Sequence, residues 1–321
     1  SLEDFHNDCN MFVRIARIGY IGFRSYQARR TMPLHTVYEL PLKRFHQTAP
    51  LFARAWFDEM YMEAVLLGRQ PGRIFVDDLI TPTSAVMFRT YEYYVAGDPV
   101  QSMRQFLKDA PAEPGMFQNF YGWAPIGKAW EQALLDDFDA LGYIVRLNFI
   151  WNNAPLMDWR AALPAGVTVR PLDAALARQV DEALHETIGL FWSGYDRFEQ
   201  AGGYGFALLK DGVPASVAFA GSVGTKAVNV VVGTGDQFQR QGFGKLVCSA
   251  FIETTLARGL LPTWDTDSVN GRSRALAKRL GFIEREPFSE VGAYPRLPLT
   301  LCAGKWSSEA LAGGVTRWFA R

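Results

Sequence analysis

Ala227-Val228-Asn229-Val230-Val231-Val232, Gln239-Arg240-Gln241-Gly242-Phe243-Gly244 and Lys245-Leu246-Val247-Cys248-Ser249-Ala250-Phe251-Ile252 follow one another along the chain. The first run is β-branched and reads as a strand, the last reads as a helix, and the hexapeptide between them is a glycine-bearing turn. A strand feeding such a turn into a helix builds a site for phosphates. The first helical N–H groups have no partner inside the helix, and the helix dipole places partial positive charge there. Gly242 and Gly244 let an anion approach the main chain with no Cβ in the way. Arg240 and Lys245 add charge on either side. Gln239, Arg240, Gln241, Gly242, Phe243, Gly244 and Lys245 therefore read as a pyrophosphate cradle; a helix that merely begins after a glycine turn is the alternative. The competing phosphate motifs fail. Leu246, not Ser or Thr, follows Gly244-Lys245, and Val247 stands where a dinucleotide fingerprint needs its third glycine.

Downstream come Leu261-Pro262-Thr263-Trp264-Asp265-Thr266-Asp267 and Asn270-Gly271-Arg272-Ser273-Arg274-Ala275-Leu276-Ala277-Lys278-Arg279-Leu280-Gly281-Phe282. With the cradle, this order resembles the GNAT superfamily of acyl-CoA-dependent N-acyltransferases, across residues 167–301. There a strand leads into a [Gln/Arg]-x-x-Gly-x-Gly/Ala turn and a long helix, a further strand carries an Asn, and a short helix ends in Leu-Gly-Phe. More narrowly, Trp264-Asp265, Asn270, Ser273 and Leu280-Gly281-Phe282 resemble a two-domain bacterial GNAT family that includes zwittermicin-resistance acetyltransferases.

The resemblance implies acetyl-CoA as co-substrate, no metal, and acetyl transfer to a primary amine of a small molecule by direct attack. It implies that Val230, Val231 and Val232 pair with the pantetheine arm like a partial extra strand, one of their N–H groups polarising the thioester carbonyl. Holding amine and carbonyl together supplies much of the remaining rate. Asn270 and Ser273 are implied to bind the cofactor arm, although Asn270 also suits an ordinary helix N-cap. Two usual proton-transfer residues are missing. Ala277 stands where many members carry the Tyr that protonates the thiolate, and Asn229 and Gly233 stand where a central-strand Glu often acts as base. Asp265 is the candidate base, with Asp267, Tyr195 and Asp196 behind it. An exposed turn carboxylate and a core-covering Tyr are the ordinary readings of such residues. A catalytically silent acyl-CoA sensor is the alternative function.

Composition agrees with a packed enzyme. The chain has 321 residues, 49% of them hydrophobic, and a formal net charge of +0, which argues against disorder and against a field that recruits nucleic acid or anionic membrane. Cys9, Cys248 and Cys302 are far apart, as are His6, His35, His46 and His185, so no zinc-ligand spacing arises. No stretch is apolar enough to span a bilayer. A cytoplasmic location and reduced thiols are expected; the oligomeric state is left open. The basic, aromatic segment through Arg29-Arg30 reads as an extension, a docking helix or a targeting segment.

The fold class expected is α+β: a C-terminal GNAT fold, with a mixed, mostly antiparallel sheet flanked by helices, behind an N-terminal α+β half that is degenerate and GNAT-like. The divisions are 1–31 extension, 32–152 degenerate domain and 153–321 catalytic domain. In the first half we expect a helix over 42–67, strands over 73–78 and 84–95, helices over 101–107 and 126–141, and a strand over 143–150. No glycine cradle follows these strands, so support or a substrate wall is the expected role. A Pro- and Gly-punctuated linker, 151–166, leads to a strand at 167, a helix reaching 188, a hairpin through Asp211-Gly212 and a tail helix over 307–319.

Overall fold

The structure, a computed structural model, describes residues 36–55, 57–89, 92–109, 122–137, 140–293 and 318–320. The expected extension over 1–31 lies outside them. The first half runs β1 (Tyr38–Glu39), a 3₁₀ helix (Leu42–Thr48), α1 (Ala49–Phe52), α2 (Glu59–Leu66), β2 (Arg73–Val76), β3 (Ser84–Phe88), β4 (Glu92–Gly97), α3 (Gln101–Asp109), β5 (Gly122–Pro125), α4 (Lys128–Asp137) and β6 (Ala140–Trp151). The second half runs β7 (Val167–Pro171), α5 (Ala174–Leu184), α6 (Ile188–Trp192), α7 (Tyr195–Gln200), β8 (Gly205–Lys210), β9 (Val213–Val223), β10 (Ala227–Thr234), α8 (Phe243–Ala257), β11 (Leu261–Asp267), α9 (Gly271–Leu280), β12 (Phe282–Glu284), β13 (Phe288–Ala293) and β14 (Trp318–Ala320).

Each half is a mixed sheet with one parallel pair, β4 with β5 and β10 with β11. The halves join in one strand path, β1-β2-β3-β4-β5-β13-β6-β11-β10-β9-β8-β7. The junction is a reciprocal exchange. β6, which closes the first half along the chain, lies between β11 and β13; β13, from the second half, crosses to pair with β5 through Val291 and Trp123. Twelve residues give β6 the reach to pair with β11 over Arg146–Ile150 and with β12 and β13 on its other side. One apolar core accordingly contains Phe52, Tyr61 and Met87 from the first half with Trp192, Phe219 and Val230 from the second. A second cluster, around Phe88, Met103 and Trp130, packs α3 and α4 onto the other face of the first sheet.

Three expectations are corrected. The helix over 42–67 is broken, because Asp58 adopts a left-handed backbone (φ 51°) just before α2, where its carboxylate accepts from the Tyr94 hydroxyl at 3.1 Å. The strand over 84–95 is two strands, β3 and β4, paired antiparallel as a hairpin; the polar Arg89-Thr90 in mid-run separates them. Most of the tail helix over 307–319 lies outside the described residues, but Trp318–Ala320 is strand, paired with β6. The Asp211-Gly212 hairpin forms as expected, with positive φ at both residues (50° and 83°).

Candidate active site

β10 changes partners halfway along. It pairs in parallel with β11 from Ala227 to Asn229, opposite Leu261 to Thr263, and no further. Between Asn229 and Val230 its register against β9 also shifts, a bulge that increases local twist. Beyond the bulge, Val230 to Thr234 pair with β9 alone, while β11 continues against β6 as far as Asp267. The two strands have splayed, and β10 turns the unpaired edge of Val230, Val231 and Val232 toward the opening. Such an edge holds N–H and C=O groups that an extended, amide-bearing chain can satisfy.

The open edge runs directly into the predicted turn. Gly242 is the N-cap of α8, at φ 82°, with no side-chain cap on the helix. That backbone favours glycine, and a Cβ there would meet nothing within 4 Å. A Cβ on Gly244 would meet Leu276 at 3.4 Å and Thr234 at 3.5 Å, ordinary contacts. The packing around residue 244 therefore has room for a methyl group. Arg240 also sits at positive φ (62°) and is exposed. Gln239 donates to Asp236 at 2.8 Å and accepts from Arg272 of α9 at 2.8 Å, tying the turn to the last helix. Gln241 donates to the Gln237 carbonyl, Phe243 is buried beneath the turn, and Lys245 is half-buried in the first turn of α8. These residues and the valines of β10 are brought to one strand–turn–helix corner, and their chemistry fits a pyrophosphate with an extended amide arm.

Asn270 is exposed and caps α9, its side-chain oxygen accepting from Ser273 N–H at 3.1 Å. The Ser273 hydroxyl in turn accepts from the Trp264 indole at 2.9 Å. Ala277 is fully buried in the core and offers no hydroxyl.

Asp265 stands on β11 beside the splay, but both of its oxygens are engaged. One accepts from Asn229 Nδ2 at 3.0 Å, and the other is bound by Arg146. Arg146 also holds Asp267 at 2.6 Å. Despite the opposing effect of burial, the surrounding carboxylates Asp265, Asp267, Glu290 and Asp58 hold its guanidinium well above the ordinary range. The Tyr61 hydroxyl donates to Asn229 Oδ1 at 2.5 Å. Tyr61 and Arg146 both come from the first half, which thus completes one wall of the cleft. Arg89, also from the first half, stacks over the Tyr61 ring at 4.1 Å and donates to the Gly221 carbonyl at 2.9 Å. Tyr195 and Asp196 start α7; Tyr195 hydrogen-bonds Asp181.

One carboxylate escapes every motif. Glu186, half-buried between α5 and α6, lies against β10 so closely that a Cβ built on Gly233 would fall 1.7 Å from its Oε1. The sequence signal was a glycine ending a β-branched strand, which marks close approach by another group.

In the second of the two mixed-sheet units, a strand that splays at a bulge runs into a glycine turn that opens a helix. The chain belongs to the GNAT acetyltransferase family, whose profile matches residues 49–290. Membership makes it an N-acetyltransferase and implies an acyl-CoA co-substrate and an acceptor. It is similar to the uncharacterized N-acetyltransferase YdfB of Bacillus subtilis strain 168, at 23% identity over 239 residues, 71% of this chain and 90% of that one. A GCN5-related N-acetyltransferase-like protein from Streptococcus suis superposes with a TM-score of 0.60 at 22% identity, covering 78% of this chain and 98% of that one. A tandem GNAT protein from the clavulanic acid biosynthesis pathway gives a TM-score of 0.54 at 12% identity, covering 82% and 99%. At such identities the structural likenesses speak for the fold, two GNAT-like α+β units. Among the described residues no helix is long and apolar enough to cross a membrane, and no cluster of three metal-ligating side chains occurs.

Proposed function

We propose that the protein transfers an acetyl group from acetyl-CoA to a primary amine of a small molecule, by direct attack. The observation that carries this is the unpaired edge of β10 leading without interruption into the uncapped N-terminus of α8. Val230, Val231 and Val232 offer main-chain groups to the pantetheine arm, and Gln239, Arg240, Gln241, Gly242, Phe243, Gly244 and Lys245 hold the pyrophosphate. Asn270 and Ser273 border the arm from α9. The co-substrate supplies an activated acyl thioester. The chain supplies a main-chain N–H where charge develops on the carbonyl oxygen, and orientation of the amine.

Only the second half binds the co-substrate in this reading. The corresponding turn of the first half, Gly97-Asp98-Pro99, puts a carboxylate and an imino acid without an N–H before α3. Its part is the wall built by Tyr61, Arg89 and Arg146. Asp265, engaged by Arg146 and Asn229, orients that wall and is poorly placed to accept a proton. Within the family, the Trp264-Asp265, Asn270, Ser273 and Leu280-Gly281-Phe282 set resembles the zwittermicin-resistance type, which puts amine-bearing antibiotics in the first acceptor panel. The test is free thiol release from acetyl-CoA with polyamines, aminoglycosides and amino acids. Amine-dependent release supports transfer; micromolar acetyl-CoA binding with no turnover across the panel would refute it and leave a sensor.

A further inference from the structure

α5 ends at Leu184, and His185 takes a left-handed backbone (φ 57°), which turns the chain back toward the sheet. Glu186 follows. Its carboxyl occupies the volume that a side chain at Gly233 would fill, 1.7 Å from Oε1 and 2.4 Å from Cδ to the position of that Cβ. Which face of β10 this is can be read from strand alternation. Val232 and Thr234 face α8 and α9, since both lie within 4 Å of a Cβ placed on Gly244, as Leu276 does. Val231 and Gly233 therefore face the other way. Val231 shares that side with Asn229 and the Tyr61 hydroxyl, all three lying within 4 Å of a Cβ placed on Gly221. So Glu186 sits on the same face as the Tyr61–Asn229–Asp265 wall, beside the open segment of β10 and opposite the cradle helix.

No described residue donates a hydrogen bond or an ion pair to Glu186. The charged group that faces it is Asp181 of α5, itself tied to the N–H groups of Ile188 and Gly189 at 2.9 Å each and to Tyr195. Burial, reinforced by Asp181, pushes the Glu186 carboxyl up to about 7. A carboxylate that protonates near neutrality has the proton affinity a general base needs at that pH. Both oxygens of Asp265, by contrast, are held by Asn229 and Arg146.

We propose that Glu186 is the base of the acyl transfer, taking from the α5–α6 connection the role that β10 leaves empty at Asn229 and Gly233. The inference rests on the transferase reading above. Glu186 accepts one proton from the acceptor ammonium. The freed nitrogen pair forms the N–C bond to the acyl carbon, and the C–S bond breaks with its electrons on sulfur. The second proton of the nitrogen ends on that sulfur as thiol, and Glu186 later releases its proton to water.

The experiment compares wild type with Glu186→Gln and Gly233→Ala. Three quantities are read: the acetyl-CoA Kd by calorimetry, kcat against pH with the best amine of the panel, and carboxyl ¹³C titration of the free protein. Glu186→Gln should leave Kd within threefold, lower kcat at least 100-fold and abolish the acid limb near pH 7. A carboxyl resonance titrating near 7 should vanish with it. Gly233→Ala displaces only the end of a flexible side chain, so it should fold and lower kcat at least tenfold. Wild-type turnover with Glu186→Gln within tenfold, or an unchanged acid limb, would overturn the assignment of Glu186 alone. Wild-type protein that binds acetyl-CoA but releases no thiol with any amine would sink the transferase reading and this inference with it.

Discussion

Replacing Arg146 with Met keeps the length of the side chain and removes the charge that four carboxylates surround. Asp265 and Glu290 are both nearly buried, with side chains 11% and 9% exposed, whereas Asp267 is 47% exposed and loses little. Breaking a fully buried pair by removing one partner costs about 3–5 kcal/mol, because the remaining charge stays uncompensated. Arg146 itself is 21% exposed, so some water reaches the site, and we expect about 2–4 kcal/mol. At a urea dependence of about 3 kcal/mol per molar, the unfolding midpoint falls by about 1 M. The double variant Arg146→Met/Asp265→Asn removes the orphaned charge and should recover at least about 1 kcal/mol, a coupling typical of residues in one network. Urea titration by far-ultraviolet circular dichroism measures both. A single variant within about 0.5 kcal/mol of wild type, or a double variant no better than the single, would show that β6 and β11 are not joined through this cluster.

Gly244→Val should weaken acetyl-CoA binding at least tenfold by calorimetry, while a melting scan shows the fold retained; unchanged affinity would dismiss the cradle. Glu186→Gln should stabilise the protein in alkaline but not acid buffer. The folded carboxyl is raised to about 7, so the native state holds the proton more tightly than the unfolded chain, and stability falls as pH rises from about 4.3 to 7. At 1.36 kcal/mol per pH unit, the about 2.7 units between 4.3 and 7 put the gain above pH 8 at no more than about 4 kcal/mol, and a gap between the two proteins that stays constant from pH 4 to 8 would contradict the raised carboxyl. A fragment of residues 153–321 lacks β6 and leaves β11 with an open edge; it should aggregate, and recovery on co-expression with residues 1–152 is the check. A monomeric, folded fragment 153–321 would refute the exchange.

The strand–turn–helix corner was legible because it is local: β10, the glycine turn and α8 are contiguous in sequence. Asn270 was legible for the same reason, since an N-cap and its helix are neighbours in sequence. The splay was not. It depends on where β10 stops pairing with β11, and neither strand's own residues state that register. Glu186 stands 47 positions before Gly233, and its contact with β10 exists only through the left-handed turn at His185. The partners of Asp265 were not legible either. A carboxylate beside a cleft looks available until Arg146, 119 positions earlier, is brought to it by β6. The break between β3 and β4 was marked only by the polar Arg89-Thr90 in mid-run, since burial of both strands erases the alternation that separates one strand from two.

The bulge at Asn229 and Val230 has a consequence for solubility. An unpaired β-branched edge invites pairing with another chain, and Val230 to Thr234 form such an edge. Here β9 pairs along one side, and the first half packs on the face that carries Tyr61 and Arg89. On the proposed function, an acyl donor held along this edge would also act as the missing neighbour strand. At about a hundredfold excess over its Kd, a ligand that binds only the native state adds about 2.7 kcal/mol, so the protein should be at greatest risk of aggregating when its acyl donor is scarce.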